Sequence, residues 1–211
     1  MYRVGGEIRN QEPASLDEEL SHLSHAPLGA KLAHHADGIG QEPHTHPNTW
    51  RLEPAGTGQR LVVGPSHDFL KILLVLCKCI PEPYQLLYVL SVPRGSEPGR
   101  YQMEGTLDFE ELQRFVMPYQ SFLEGDARHH LWIHSPNSGA TLVYDKHNLI
   151  YAYGPIEEFI SKLKEMGLQE GEFELPFPHY HNYFSEYDSF EKQIIGNHKW
   201  KRTPIVPGVD D

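Results

Sequence analysis

The chain has 211 residues, of which 39% are hydrophobic and 22% charged, a composition typical of a globular protein. Its formal charge of −11 argues against a general affinity for nucleic acid, because binding phosphate backbones requires clustered Lys and Arg. No apolar run is long enough to span a bilayer or to act as a secretory signal. We therefore expect a soluble, cytoplasmic protein with neither a membrane nor a nucleic acid as its partner.

Residues 1–58 differ in composition from the rest of the chain. They are rich in Pro, Gly, His and acidic residues, and they lack a sustained apolar period. A capping box at Ser15 predicts one short helix, whereas the tract 38–59 has the composition of a loop. We predict an irregular or partly disordered N-terminal arm over 1–58, a single domain over 59–203 and a loose C-terminal tail over 204–211.

The first part of the domain predicts a helix, a hairpin and a second helix. Ser66 or Asp68 can cap a helix that runs through Cys79, and its residues from Phe69 to Cys77 make it apolar on nearly every side, which is typical of a buried helix. The apolar run 84–92 predicts a strand, and residues 100–104 are its expected hairpin partner. A capping box at Asp108 then opens a helix that Pro118 interrupts.

Residues 128–166 carry the clearest pattern in the chain. Alternating apolar positions and two turn signals predict an antiparallel meander within 130–153. Pro155 starts and Gly167 ends an amphipathic helix that should cover one face of this sheet. The predicted fold class is therefore α+β, an antiparallel sheet packed against three or four helices.

The end of the domain predicts one more helix. Aromatic residues from Tyr180 to Phe190, followed by Ile194, keep helical spacing and favour an amphipathic helix. The short basic run 199–202 is interpreted as the solvated end of that helix.

Two His-x-His pairs, His44/His46 and His179/His181, are candidate metal sites. On a strand, residues two apart share one face, so both imidazoles could bind one ion. The first pair falls in the predicted loop, and the second enters the predicted helix, where such side chains diverge. We keep His179 and His181 as candidate metal ligands and predict no cofactor.

His130, Trp132 and His134 share the face of the predicted strand that points away from the helix. If this face is open, it would suit a planar or anionic ligand. Asp145 on the next strand could then orient one of the two imidazoles as a general base. If the N-terminal arm covers the face, these are ordinary hydrogen-bonded histidines.

No sequence motif indicates a particular reaction. A nucleophile elbow, a phosphate-binding loop and a dinucleotide fingerprint are all missing from the sequence. This absence, the acidic charge and the eleven Tyr favour a non-catalytic interaction protein, for which a basic protein is the fitting partner. By analogy of charge alone, an immunity or antitoxin-like role would suit such a surface. The alternative is a small enzyme or sensor built on a histidine-rich site, with or without a metal.

Overall fold

The computed structural model describes residues 30–35 and 41–210. The helix predicted after Ser15 lies outside these residues. Within the described ranges, strands form one sheet of nine strands and one of three, and helices pack against the larger sheet. The predicted α+β class is confirmed.

The secondary-structure elements are numbered here in chain order. The strands are β1 (Leu32–His35), β2 (Gln41–Pro43), β3 (Thr49–Ala55), β4 (Gly58–Gly64), β5 (Gln85–Leu90), β6 (Gly99–Met103), β7 (His129–His134), β8 (Thr141–Tyr144), β9 (Ile150–Tyr153), β10 (Gln169–Glu170), β11 (His179–His181) and β12 (Trp200–Thr203). The helices are α1 (Phe69–Cys77), α2 (Phe109–Val116), α3 (Gln120–Gly125), α4 (Ile156–Glu165) and α5 (Asp188–Asn197), with short 3-10 turns at Met117–Tyr119 and Ser185–Tyr187.

The meander predicted within 130–153 forms the centre of the larger sheet. The strand order is β10-β3-β4-β9-β8-β7-β5-β6-β12, and only the β10–β3 pair is parallel among the described strands. Residues 131 and 144 are register partners, as are 143 and 151. The predicted hairpin is present as β5 and β6.

Helices cover one face of this sheet. Leu131 and Ile133 of β7 lie in the same buried core as Phe159 and Leu163 of α4. Because side chains alternate along a strand, the residues between them point to the opposite face. The opposite face is therefore where polar side chains of the sheet can gather.

The helix boundaries show the predicted local chemistry. Asp108 accepts a hydrogen bond from the backbone N–H of Glu111 at 2.7 Å, which completes the predicted capping box. Gly167 follows α4 with a φ of 83°, a left-handed conformation that favours glycine. None of the described helices combines the length and the apolar character that crossing a membrane requires.

Three predicted segments are corrected by the structure. The tract 38–59 is not a continuous loop, because β3 pairs along its whole length with β4 and Trp50 is buried. Residues 179–181 form a strand, and the helix begins only at Asp188. Residues 200–203 form an edge strand beside β6 rather than a helix end. β3 pairs with its neighbour in the chain, whereas 179–181 and 200–203 pair with distant strands, and in all three cases strand pairing prevails over the local pattern.

Candidate metal centre

The three-stranded sheet packs against the turn between β8 and β9. β1 lies between β2 and β11 in this sheet. The buried Lys31, just before β1, donates from Nζ to the carbonyl oxygen of Asp145 at 2.9 Å. His46, just after β2, donates from Nε2 to the carbonyl oxygen of His147 at 2.8 Å. The small sheet is thereby fixed to one turn of the large sheet.

Six histidines gather at this junction. Neighbouring rings among them have centroids between 4.9 and 5.9 Å apart. His34 lies directly opposite His179 in the β1–β11 register. The cluster consists of His34, His44 and His46 on one side, and of His147, His179 and His181 on the other.

Asp145 shapes the turn that carries His147. Its Oδ1 accepts hydrogen bonds from the backbone N–H groups of His147 and Leu149, at 2.8 and 2.9 Å. Asn148 adopts a φ of 61°, a left-handed conformation that Asn tolerates better than most residues. Its side-chain oxygen accepts a hydrogen bond from the hydroxyl of Tyr144. The turn is held on several sides, so the position of the His147 ring is well determined.

Hydrogen bonds fix which nitrogen carries the proton in two of the rings. His147 Nδ1 lies 2.7 Å from Asp145 Oδ2, and His179 Nδ1 lies 2.8 Å from the carbonyl oxygen of Pro176. Because these oxygens accept, both Nδ1 atoms donate, and in the neutral imidazole Nε2 of each ring keeps a lone pair. His181 Nε2 is buried and has no hydrogen-bond partner among the described residues. Each ring therefore has a nitrogen available to a cation.

The pKa shifts at His181 and Asp145 favour a neutral imidazole at the first and an ionised carboxylate at the second. Burial, followed by the neighbouring His147, lowers the pKa of His181 to about 4. Burial acts to raise the pKa of Asp145, but the hydrogen bond from His147 and its neighbours bring that pKa below its ordinary value. Neutral imidazole is the form that binds metals, and a carboxylate on its far N–H increases its basicity.

The spacing of the second histidine group fits a metal ion. One nitrogen from each of His147, His179 and His181 lies within 4.8 Å of one nitrogen from the other two. Ligand nitrogens around a tetrahedral zinc ion lie about 3.4 Å apart, given Zn–N distances of about 2.0–2.1 Å. Small rotations of three half-buried side chains would reach that spacing. The group fits a transition metal in donor type and in the proximity of its three rings.

The first histidine group packs beside the three candidate ligands and is not part of the ligand set. Because His46 Nε2 donates to a carbonyl, its Nδ1 accepts, and His44 Nε2 lies 3.4 Å from it. Burial, and then His46, lowers the pKa of His44 to about 4. These neutral rings pack beside the three candidate ligands without adding positive charge.

The structure places the residues that the sequence singled out at two locations. His179 and His181 share one face of β11 and meet His147. His130, Trp132 and Asp145 instead line a cavity of about 200 Å³ on the uncovered face of the large sheet.

His134 and Asp145 differ from the predicted arrangement. His134 hydrogen-bonds from its ring to Thr141 Oγ1 at 2.9 Å and does not line the cavity. The carboxylate of Asp145 hydrogen-bonds to the ring of His147, not to that of His130 or His134.

His147 is the residue that the sequence analysis missed. Its segment was recognised as a tight turn, but its side chain was given no role. The Asp-x-His spacing of residues 145 and 147 is a usable signal. An Asp at the start of a turn often accepts from the backbone two residues on, which also brings the side chain at that position close to its carboxylate.

A larger concavity, of about 820 Å³, lies on the helical side of the molecule. It is lined by side chains from the segment between α1 and β5 and from α2 and its C-terminal end, including Lys78, Glu82, Phe109 and Arg114. None of its lining side chains has a buried polar atom without a partner within the described residues. The concavity is large, but no unpaired buried polar atoms of the described residues converge in it. The histidine junction is therefore the better candidate site.

Comparison with known protein families, with curated proteins and with solved structures gave no match for this chain.

Proposed function

We propose that this protein binds a transition-metal ion through His147, His179 and His181. The observation that carries the proposal is the pair of hydrogen bonds behind the ligands, from His147 to a carboxylate and from His179 to a backbone carbonyl. Metal-binding histidines in proteins usually have such a partner on the far nitrogen, which fixes the tautomer.

Zinc is the metal that this donor set fits best. Three imidazoles suit zinc, copper, nickel or iron rather than calcium or magnesium, which prefer oxygen ligands. Three protein ligands leave one position of a tetrahedral ion for water or a substrate atom, as in catalytic rather than structural zinc sites. Such an ion lowers the pKa of its bound water and can generate a nucleophile near neutral pH. The proposal therefore favours the histidine-based enzyme or sensor over the non-catalytic interaction protein.

Zinc titration of the full-length, chelator-treated chain tests this proposal. We expect one equivalent to bind in calorimetry. Affinity should fall by more than about 100-fold in the triple variant His147→Ala/His179→Ala/His181→Ala, because all three protein ligands are lost. Cobalt should give the visible absorption of a tetrahedral nitrogen site in the wild type and lose it in the variant.

The matched control removes histidines outside the cluster. The double variant His67→Ala/His134→Ala takes away two imidazoles, and it should bind zinc as the wild type does. Equal zinc affinity in the triple variant and the wild type, with both folded by circular dichroism, would contradict the proposal. So would equal losses in the triple variant and the control.

The interaction-protein hypothesis stays a prediction. Its support is the net charge of −11 and the abundance of Tyr, and no cluster of described contacts adds to it.

A further inference from the structure

A second site lies on the face of the large sheet that the helices leave uncovered. It is the cavity of about 200 Å³ reached by strands β4, β7, β8 and β9 and by the C-terminal segment. Its walls are formed by Arg60, His130, Trp132, Val143, Asp145, His147, Tyr151, Tyr153 and Val209.

Two side chains that line this cavity each carry a buried polar atom without a hydrogen-bond partner among the described residues. His130 is 6% exposed, and its Nε2 has no hydrogen bond among the described residues. The indole Nε1 of Trp132 is also buried and without an acceptor there. An indole N–H can only donate, so a molecule that satisfies it must bring an acceptor atom into the cavity. Buried polar groups in proteins are nearly always paired with a hydrogen-bond partner. Two unpaired ones on side chains that line the same cavity therefore favour a ligand as the missing partner.

The donor groups that line the cavity favour a ligand with acceptor atoms, and the one Arg or Lys in the lining, Arg60, is ion-paired with Glu53 at 2.7 Å. The guanidinium of Arg60 lines the cavity, positioned by Glu53, by the hydroxyl of Tyr153 and by the Tyr151 ring 4.6 Å away. The single carboxylate in the lining, that of Asp145, is already occupied by His147 and two backbone N–H groups. The remaining hydrogen-bonding capacity is therefore mostly that of donors.

The shape of the cavity favours a flat molecule of one ring. Its aromatic walls are Trp132, Tyr151 and Tyr153. Its volume is below the range of about 300–1,000 Å³ that is typical of pockets for drug-sized ligands. Flat aromatic walls favour stacked or edge-on contacts with a planar ring.

The C-terminal segment completes one wall. Asp210 is buried and forms an ion pair with Arg100, whose guanidinium carbon lies 5.6 Å from the centre of the Trp132 ring. Asp210 also accepts a hydrogen bond from the backbone N–H of Val206. This closes a tight turn that presents Val209 to the cavity. The segment 204–210, predicted to be loose, is thus attached at the edge of a candidate binding site.

We propose that this cavity binds a small planar carboxylate, an aromatic or heteroaromatic acid whose oxygens accept hydrogen bonds from Trp132 Nε1 and the guanidinium of Arg60. The ring of the ligand lies between the aromatic walls. The site adjoins the proposed metal centre through His147 and Asp145, but binding here requires no metal.

Nuclear magnetic resonance of the ¹⁵N-labelled, metal-free full-length chain tests the proposal, with benzoate and nicotinate as probes. The indole N–H signal of Trp132, assigned with Trp132→Phe, should shift saturably with at least one probe. The signal of Trp200 should not shift, because its N–H already donates to the carbonyl oxygen of Ile194. Benzylamine and cyclohexanecarboxylate, which change the charge and the planarity, should bind at least about tenfold more weakly.

Two arginine variants separate an effect on ligand binding from an effect on folding. Arg60→Gln should weaken binding by about tenfold or more, because it removes the charge that faces the carboxylate. Arg51→Gln is the matched control, since Arg51 pairs with the same Glu53 but does not line the cavity, and it should bind as the wild type does. The proposal is overturned if neither acid shifts the Trp132 signal, if benzylamine or cyclohexanecarboxylate binds equally well, or if the two arginine variants behave alike. Because the chain is metal-free, these outcomes are independent of the proposed metal centre.

Discussion

At the scale of single residues, Asp145 connects the backbone of a turn to the chemistry of a candidate ligand. One of its oxygens accepts from two backbone N–H groups, and the other accepts from His147 Nδ1. The first role holds the turn, and the second determines which nitrogen of His147 keeps a lone pair. The two roles can be separated because they use different oxygens.

Replacing Asp145 with Asn should weaken zinc binding while leaving the turn in place. The Asn oxygen can still accept from the backbone, but its NH₂ group would donate toward His147 Nδ1. That reversal places the ring proton on Nε2 and removes the lone pair that faces the metal. We expect zinc affinity in calorimetry to fall by about 10- to 100-fold, with little change in the unfolding midpoint. An unchanged affinity would show that His147 needs no carboxylate behind it.

At the scale of secondary-structure elements, Arg128 joins four parts of the chain. Its fully buried guanidinium donates to Asp126 after α3 and to Asp188 and Glu191 on α5. It also donates to the carbonyl oxygen of Phe184, in the segment that links β11 to α5. The segment that follows β11, the strand with two of the candidate ligands, is thus attached by this side chain to the residues that lead into β7.

Replacing Arg128 with Met should destabilise the fold strongly. The change leaves Asp126 and Glu191 buried without their cation, an arrangement that typically costs about 3–5 kcal/mol of unfolding free energy. Arg94→Met is the control, because Arg94 pairs with Asp188 at a partly exposed position, where an ion pair contributes about 0–1 kcal/mol. Urea unfolding of the two variants measures the difference. Similar losses in both would mean that the buried network contributes no more than a surface pair.

At the scale of the whole molecule, both sheets contribute histidines to the candidate metal centre. The large sheet contributes His147 from one turn, and the small sheet contributes His179 and His181 from one strand. Their junction buries several imidazoles in neutral form, which links the stability of the fold to pH.

The metal-free protein should lose stability as the pH falls from about 6.5 to about 4. Burial lowers the pKa of His130 to about 4, against about 6.5 in an unfolded chain. In that window the unfolded chain takes up protons that the folded protein does not, so acid favours unfolding. His130 alone contributes on the order of 3 kcal/mol to this loss, and His44 and His181 act in the same direction.

Urea unfolding at about pH 7 and about pH 5 measures this dependence. His130→Gln should reduce this pH dependence, because a neutral amide in place of the imidazole takes up no proton, while His44 and His181 still contribute. A variant with the same pH dependence as the wild type would show that His130 titrates equally in both states.

The sequence by itself determined those parts of the fold that depend on near neighbours. Alternating residues in 130–153 gave a correct meander, and the capping box at Asp108 and the glycine after α4 gave correct helix ends. These signals work because side-chain direction, capping and left-handed turns are decided within a few residues. The cavity residues His130 and Trp132 were found for the same reason, since they share one face of one strand.

The tertiary structure alone decided the arrangement of the candidate metal centre. His147 and His181 are far apart in the sequence, and their approach depends on how β11 pairs with β1 and how that sheet docks on the β8–β9 turn. The aromatic spacing after Tyr180 favoured a helix locally, but strand pairing with β1 prevailed in 179–181. Long-range backbone pairing leaves no local periodic signal in the sequence. The sequence therefore shows the individual histidines, but only the fold shows that they lie close together.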